Sequence, residues 1–510
     1  MIAGSTLWQL VEARAAATPD ALFAIDETDR TLSFAGYRDA ALRAAAGLHA
    51  RGVAAETPVS WMLPTTLEAL VLAAALARLG AVQNPLLPIY REREARFVTR
   101  QTRARLLCVP PPFRGFDYPA MARDLRAERG ELDVLIVDGS LPEADPGPLP
   151  PAPVAAAPAD APVRWIFYTS GTTSDPKGAR HTDASLIASF RGLVRVLELG
   201  PDDRHGMVFP LTHVGGVGWL IAGLLAGVSH VVVAIFDPVH AIPLLARHGV
   251  TQAGAGTAFH QAYLAAQRER PAAPLFPRVR AFPGGGAPKP PQLHYDLKNE
   301  LGGAGIVSGY GLTECPIIAM NSIRDADEKL ANTEGRVNPP ETEIHVVRPD
   351  GTPAAPGEEG ELRVRGSQLF RGYLDASLDA AAFDADGFFR TGDLGRLDAD
   401  GYLVVTGRTK DVIIRKGENI SAKEVEDLLY THPKVADVAV IGLPDPAQGE
   451  RCCAVVTCRG DVLDFAEMVA FLKGQGLMRQ KIPEQLEVVA EVPRNAAGKI
   501  QKQLLRERFG

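Results

Sequence analysis

The chain lacks most of what would fasten or anchor it from outside its own core. Five cysteines in 510 residues, Cys108, Cys315, Cys452, Cys453 and Cys458, form an odd, scattered set that excludes a disulfide framework. The last three lack the paired spacing of a zinc site and fall in an apolar run, so buried strand positions are expected and no structural metal. No N-terminal stretch has the charged, apolar and small-residue sections of a secretory signal, which with the cysteine usage predicts a cytoplasmic setting. Basic residues are outnumbered, 54 to 61, and the net charge of -7 argues against nucleic acid as the main partner. Long apolar runs are absent except for residues 216–236. There Gly227, Ser229 and His230 separate a helix-like half from a β-branched half, which predicts a buried helix and strand instead of a membrane span. No internal repeat is found.

What the chain does have is ample core material, with 46% hydrophobic and 23% charged residues, and a length that calls for more than one domain. Residues 7–16 and 67–79 read as helices, with Ser5 or Thr6 as a cap for the first, and apolar runs at 106–109 and 134–137 read as strands. That alternation predicts helix-covered parallel sheets. Residues 141–162, rich in proline and alanine, read as a surface connection. Strand and helix alternate again through 208–210, 216–235, 250–255 and 279–282. From about residue 341 short strands and turns (343–347, 349–351, 360–364, 401–405) predict an antiparallel sheet. Beyond Gly407 a compact α+β unit is expected, with strands at 412–414 and 435–441 and helices at 422–430 and 465–477.

The chemistry starts at Tyr168-Thr169-Ser170-Gly171-Thr172-Thr173-Ser174-Asp175-Pro176-Lys177-Gly178, directly after a strand-like run. A hydroxyl- and glycine-rich loop leaving a strand can turn successive amides toward an anion, and Lys177 adds a cation, so the loop suits a nucleotide triphosphate. It is not a Walker A motif, because Pro176 precedes the lysine and Gly178 follows it. Over these eleven positions the loop resembles the signature of the AMP-forming, adenylate-forming superfamily, which includes acyl-CoA synthetases, peptide-synthetase adenylation domains and beetle luciferases.

Further blocks resemble the same superfamily in the same order. Gly284-Gly285-Gly286 and Ser308-Gly309-Tyr310-Gly311 would let adenine lie against backbone and an aromatic ring. Thr313 would donate to a phosphate, and Glu314 would offer a hard oxygen to magnesium. Asp393, in Thr391-Gly392-Asp393-Leu394, and Arg408 would hold the ribose, with Lys410 as hinge pivot. Lys416 stands where most relatives carry glycine. Lys499, in Pro493-Arg494-Asn495-Ala496-Ala497-Gly498-Lys499, would be the catalytic lysine. The resemblance also places His213, Val214 and Gly215, and Cys315, Pro316 and Ile317, around the acyl group. Amino-acid-activating relatives place an aspartate just after the block around His213, where this chain continues Val214-Gly215-Gly216-Val217-Gly218-Trp219, so no carboxylate is offered to an amine.

The resemblance implies an α/β fold with an antiparallel β subdomain and a small, mobile C-terminal α+β domain. Residues 1–407 would form the ATP- and acyl-binding domain and residues 408–510 the mobile one. It implies ATP, Mg2+ and coenzyme A as reactants and an apolar medium-chain, alicyclic or aromatic acid as substrate. Residues 84–94 are similar to a stretch of cyclohexanecarboxylate and related acyl-CoA ligases. Two alternatives stay open: an enzyme loading an acyl carrier protein, and an inactive nucleotide-binding homologue. Oligomeric state is left open.

Overall fold

The computed structural model describes residues 1–157, 159–169, 176–287, 289–338, 340–415, 418–446, 448–495 and 498–510. Helices form where caps and periodicity call for them. Thr6 accepts from the Gln9 amide to start helix Leu7–Ala17, and Thr66 starts Leu67–Leu79, which ends at Gly80 with φ 68°. Only Glu68 of the second helix escapes burial, the pattern of a helix covered on every side.

Two sheets and the helices they share organise the larger part. Strands Asp133–Ile136, Leu106–Val109, Pro58–Trp61, Val82–Pro85, Val163–Thr169 and Lys177–Thr182 lie in that order, parallel except for the final antiparallel pair. A second sheet runs Thr31–Ser33, Leu22–Ile25, Ser229–Val232, Arg204–Met207. Helices Phe34–Ala50, Leu67–Leu79, Asp183–Val196 and Val214–Ala226 join residues of both sheets, among them Phe23, Trp61, Trp165 and Val232, in one core. The proline-rich connection forms no helix or strand among its described residues. It is tied down by Arg78, whose Nη2 donates to Pro150 O at 2.7 Å, and by Gly47, where a methyl group would lie 2.1 Å from Pro142 O.

A smaller sheet, Phe282–Gly285, Ile306–Tyr310, Ala319–Met320, Arg336–Val337, leads to an antiparallel one, Glu343–Val347, Gly360–Arg365, Phe389–Leu397, Leu403–Arg408. The C-terminal sheet orders Glu418–Ser421, Val412–Arg415, Gly449–Cys458, Val435–Asp445, with Gln485–Val488 parallel to Gly449–Cys458. Helices Ala422–Tyr430 and Phe465–Gly474 pack on it, and Cys452 and Cys453 are buried strand residues. Among the described residues no hydrophobic cluster mixes residues before Arg408 with residues after it. The architecture is thus α/β with an antiparallel subdomain and a separate small α+β unit.

The run 216–236 is divided as expected, into helix Val214–Ala226 and strand Ser229–Val232, and no helix among the described residues is long and apolar enough to cross a membrane. The strand expected at 250–255 is reduced to bridges from Gln252 to His205 and to Ala281, where the side chains of Thr251 and Gln252 donate to Asp203 Oδ1 at 2.6 and 3.2 Å.

The second sheet buries two histidines that meet no hydrogen-bond partner. His205 stacks on Trp219, ring centroids 3.7 Å apart, and meets His230 edge-on at 5.6 Å. Burial pulls His230 down to about 3, and burial together with His230 holds His205 well below its ordinary 6.5. Both take up protons more readily unfolded. Their contribution to stability is therefore complete above about pH 6.5 and is lost as pH falls toward the folded values, at up to about 1.4 kcal/mol per pH unit for each ring. Urea midpoints should drop from about pH 6.5 to about pH 4.5, and His230→Leu should flatten that drop; an unchanged slope in the variant would refute the assignment.

Candidate active site

The parallel strands Phe282–Gly285 and Ile306–Tyr310 pair Gly284 with Ser308 and Gly285 with Gly309. Their C-terminal ends open into a cleft of about 450 Å³, the usual place for a ligand in such sheets. Gly286, Gly309, Tyr310 and Gly311 line it. Gly284 and Gly285 do not: methyl groups there would lie 2.8 Å from His260 Cε1 and 2.6 Å from Gly309 O, so these glycines serve packing. Ser308 is also turned away, its hydroxyl donating to Glu334 Oε2 at 2.5 Å.

Asp393 and Arg408 meet because they are cross-strand partners in the antiparallel sheet. Arg408 Nε donates to Asp393 Oδ1 at 3.0 Å, and the Tyr310 hydroxyl, arriving from the neighbouring sheet, donates to Oδ2 at 2.7 Å. Burial first, and then Asp393, push the Tyr310 phenol well above its ordinary range, so it stays a neutral donor. The carboxylate is fixed by two donors and its ring partner is fixed with it.

A tight turn, with Leu312 N to Cys315 O at 2.9 Å and Cys315 N to Leu312 O at 3.2 Å, carries Thr313 and Glu314. Two residues that sequence reasoning missed hold it. His181 Nε2 donates to Thr313 O at 2.8 Å, and burial lowers this imidazole to about 4, which keeps it neutral. Tyr373 donates to Glu314 Oε1 at 2.6 Å, while Lys177 Nζ sits 5.4 Å from the Tyr373 ring centroid. Lys177 is the strand partner of Thr169, so Tyr373 links the loop's cation to the Glu314 carboxylate. Ser170, Gly171, Thr172 and Thr173 lie outside the described residues.

His213 caps helix Val214–Ala226, accepting from the Gly215 amide at 3.0 Å, and with Val214 and Thr313 it lines a nearly closed slot of about 10 Å³. Pro85, Leu87, Tyr90, Phe167, Tyr168 and Thr212 complete the wall, which carries no ionised side chain. Burial, and secondarily the charge of Lys499, lower His213 to about 3. Cys315, Pro316 and Ile317 are not in either lining. The turn sends Cys315 into a cluster with Ala179, Phe370 and Tyr373, Ile317 into the main core, and Pro316 O against Gly311, where a methyl group would meet it at 1.9 Å.

Lys499 comes from the C-terminal unit. Its hairpin is closed by Asn495, whose amide donates to Lys499 O at 2.9 Å and whose Oδ1 accepts from Lys499 N at 3.0 Å; Arg494, paired with Asp437 at 2.8 Å, donates to Gly498 O. The lysine side chain enters the cleft until Cε is 3.9 Å from where a Gly286 methyl would sit. Burial and then Arg408 lower its amine to about 8, against Asp393 and Glu314, which raise it; Lys410 adds to the lowering. Lys410 lines the same cleft and is itself lowered, by burial first and then Arg408. One amine therefore senses the Asp393–Arg408 pair, Glu314 and the His213 slot together.

Comparison with known proteins agrees with this geometry. Residues 11–374 match the family model described as AMP-binding enzyme, and residues 424–499 match that of the AMP-binding enzyme C-terminal domain. Among curated relatives, the salicyl-AMP ligase / salicyl-S-ArCP synthetase of Mycobacterium tuberculosis is 33% identical, the match covering 99% of this chain and 91% of that protein. The medium-chain fatty-acid–CoA ligase of Escherichia coli is 32% identical, over 97% and 88%. ATP-bound MatB from Rhodopseudomonas palustris superposes with a TM-score of 0.88 at 28% identity, over 99% of each chain. The chain belongs to the AMP-binding enzyme family.

Proposed function

We propose that the protein is an ATP-dependent acid–thiol ligase that joins an apolar carboxylic acid, medium-chain, alicyclic or aromatic, to coenzyme A through an acyl adenylate. The observation that carries the reading is the position of Lys499, an amine from one unit inserted between the His213 slot and the Asp393–Arg408 cleft of the other. Residues 1–407 bind ATP and the acid; residues 408–510 carry Lys499 and turn about Lys410. A slot walled by Pro85, Leu87, Phe167 and Val214 favours an acyl tail without charge.

Two anions must meet in the first half-reaction, so its main demands are positioning and neutralisation. The acid's carboxylate oxygen attacks the α-phosphorus, the bond from that phosphorus to the bridging oxygen breaks, and pyrophosphate leaves. Lys499 lies where the carboxylate and α-phosphate would meet. Asp393 and Arg408 hold the ribose, Tyr310 flanks the base, and Thr313 and Lys177 face the phosphates. Glu314 would hold magnesium: a single carboxylate suits an ion that takes its other ligands from phosphates and water, and the described residues contain no group of three His, Cys, Asp or Glu to compete for it. That ion would supply further charge neutralisation to the phosphates. In the second half-reaction the thiol sulfur attacks the acyl carbon, AMP departs with the carbon–oxygen bond pair, and the thiol proton passes to solvent.

Pyrophosphate release over a panel of aliphatic, alicyclic, aromatic and amino acids, each with and without CoA, tests the reading. Sustained turnover is expected only with an acid whose acyl part is uncharged and CoA together. Release that stops at one equivalent of enzyme with CoA present would move the acceptor to a carrier protein. Lys499→Ala should lower adenylate formation by about a hundredfold or more while the thioester half-reaction, started from synthetic acyl adenylate, changes far less; equal losses in both would contradict the role. The amine acts when protonated, so kcat/KM for adenylation should be level below about pH 8 and fall above it. Lys499→Arg, which keeps its charge, should remove that alkaline limb from whatever activity it retains, and a limb left at the same pH would assign the titration elsewhere.

A further inference from the structure

The slot beside His213 is apolar in composition but not satisfied. Five of its nine residues carry a polar side chain, and two of these are already engaged: the Tyr168 hydroxyl donates to Gln101 Oε1 at 2.6 Å, and His213 Nδ1 accepts from the Gly215 amide at 3.0 Å. Tyr90 and Thr212 differ. Their hydroxyls are buried and neither meets a hydrogen-bond partner. Trp8 Nε1, Trp61 Nε1 and Ser189 Oγ, unpaired and buried as well, belong to residues outside both cavity walls, and Thr406 Oγ1 belongs to the wall of the larger cleft. Here two such hydroxyls share one cavity wall.

The backbone around both residues is held. Tyr90 N donates to Leu87 O at 3.0 Å and Tyr90 O accepts from Arg91 Nη1 at 2.8 Å; Leu211 N donates to Thr65 Oγ1 at 2.9 Å and His213 N to Pro210 O at 3.0 Å. Neither hydroxyl is thus absorbed by the segment that carries it. An ordered water is the simple competitor, since about 10 Å³ is the least space a water needs; the side chains of Pro85, Leu87, Phe167 and Val214 give it no further partner, and the acyl part would displace it as it opens the slot. A group that arrives with the substrate and satisfies both hydroxyls removes the mismatch. Each hydroxyl can donate or accept, so an alcohol, a phenol or a carbonyl oxygen fits. A fixed charge does not, because no ionised side chain lines the slot to meet it.

We propose that the acid activated here carries a neutral hydrogen-bonding oxygen on its acyl part, and that Tyr90 and Thr212 are the residues that select for it. The inference rests on the acid-activating reading and narrows the substrate class within it. Burial pushes the Tyr90 phenol up to about 12, so it remains a neutral donor throughout the working range.

The test compares benzoate with its monohydroxy isomers, and cyclohexanecarboxylate with its hydroxylated analogues, in pyrophosphate release with CoA. At least one hydroxy acid should exceed its parent in kcat/KM by about a hundredfold, because a site built around a substrate hydroxyl leaves its own groups unpaired with the analogue that lacks one. Tyr90→Phe and Thr212→Val should each cut that ratio about tenfold, mainly through KM. Equal kcat/KM for parent acids and every hydroxy isomer, or a preference that survives both substitutions, would overturn the proposal. A second readout needs no turnover. Removing an unpaired buried hydroxyl should leave the Tm of ligand-free protein unchanged or higher, whereas a fall in both variants would mean that the hydroxyls have partners and select nothing. If no acid of either set releases pyrophosphate, the activation reading fails on its own terms, and the Tm comparison still decides the state of the two hydroxyls.

Discussion

A positive charge has to be kept on Lys499 inside a cleft that discourages it. Burial and the neighbouring Arg408 and Lys410 work against the ammonium; Asp393 and Glu314 work for it, and the balance leaves the amine at about 8. Either carboxylate alone would face more cations than it could offset. The same two carboxylates are pinned from elsewhere, Asp393 by Tyr310 and Arg408 and Glu314 by Tyr373, so the field at the lysine is set by groups that cannot turn away. What looks like a set of separate contacts is one electrostatic arrangement drawn from two sheets and the turns beside them.

The arrangement depends on register as much as on charge. Asp393 and Arg408 face the same cleft because they pair directly, and a one-residue slip of strand Leu403–Arg408 would turn the guanidinium to the other face of the sheet. Tyr310 then fastens this antiparallel sheet to the parallel pair from which the tyrosine comes. On the far side, Arg494 and Asp437 brace the hairpin whose amides and Asn495 side chain set the direction of Lys499. Few of these groups contribute to a core. Their burial is a consequence of the cores on either side.

Sequence reasoning reaches the blocks that carry their own local chemistry. Lys177, Gly286, Tyr310, Glu314, Asp393, Arg408 and Lys499 stand in short motifs with glycine or hydroxyl neighbours, and the fold gathers them. It does not reach Tyr373 or His181, because they act through partners 59 and 132 residues away and nothing beside them in the chain marks the contact. Cys315 and Ile317 stand apart from both cavity linings for a related reason. A tight turn sends neighbouring residues to different environments, so adjacency to Glu314 does not place them beside the substrate. Gly284 and Gly285 show the same limit, since a glycine run in sequence does not separate the residues that clear space for a ligand from those that clear space for another strand.

The separation of the cores bears on how one amine could serve a reaction with two halves. No hydrophobic cluster of the described residues spans Arg408, and the contacts between the units include polar ones, among them Ser421 Oγ donating to Thr406 O at 2.8 Å and the fields of Lys423 and Asp427 on buried Lys289. Polar contacts of this kind can be exchanged for water at small cost, whereas parting an apolar interface exposes it at about 25 cal/mol for each Å². A unit attached in this way can withdraw Lys499 without unfolding either core. It also forms part of the cleft's wall, since Lys502, Arg506 and Ile500 line the cleft together with Gly286 and Tyr310. On the proposed reading, the group that neutralises charge and the surface that limits water would arrive and leave together, which would tie the protection of a reactive acyl intermediate to the step that forms it.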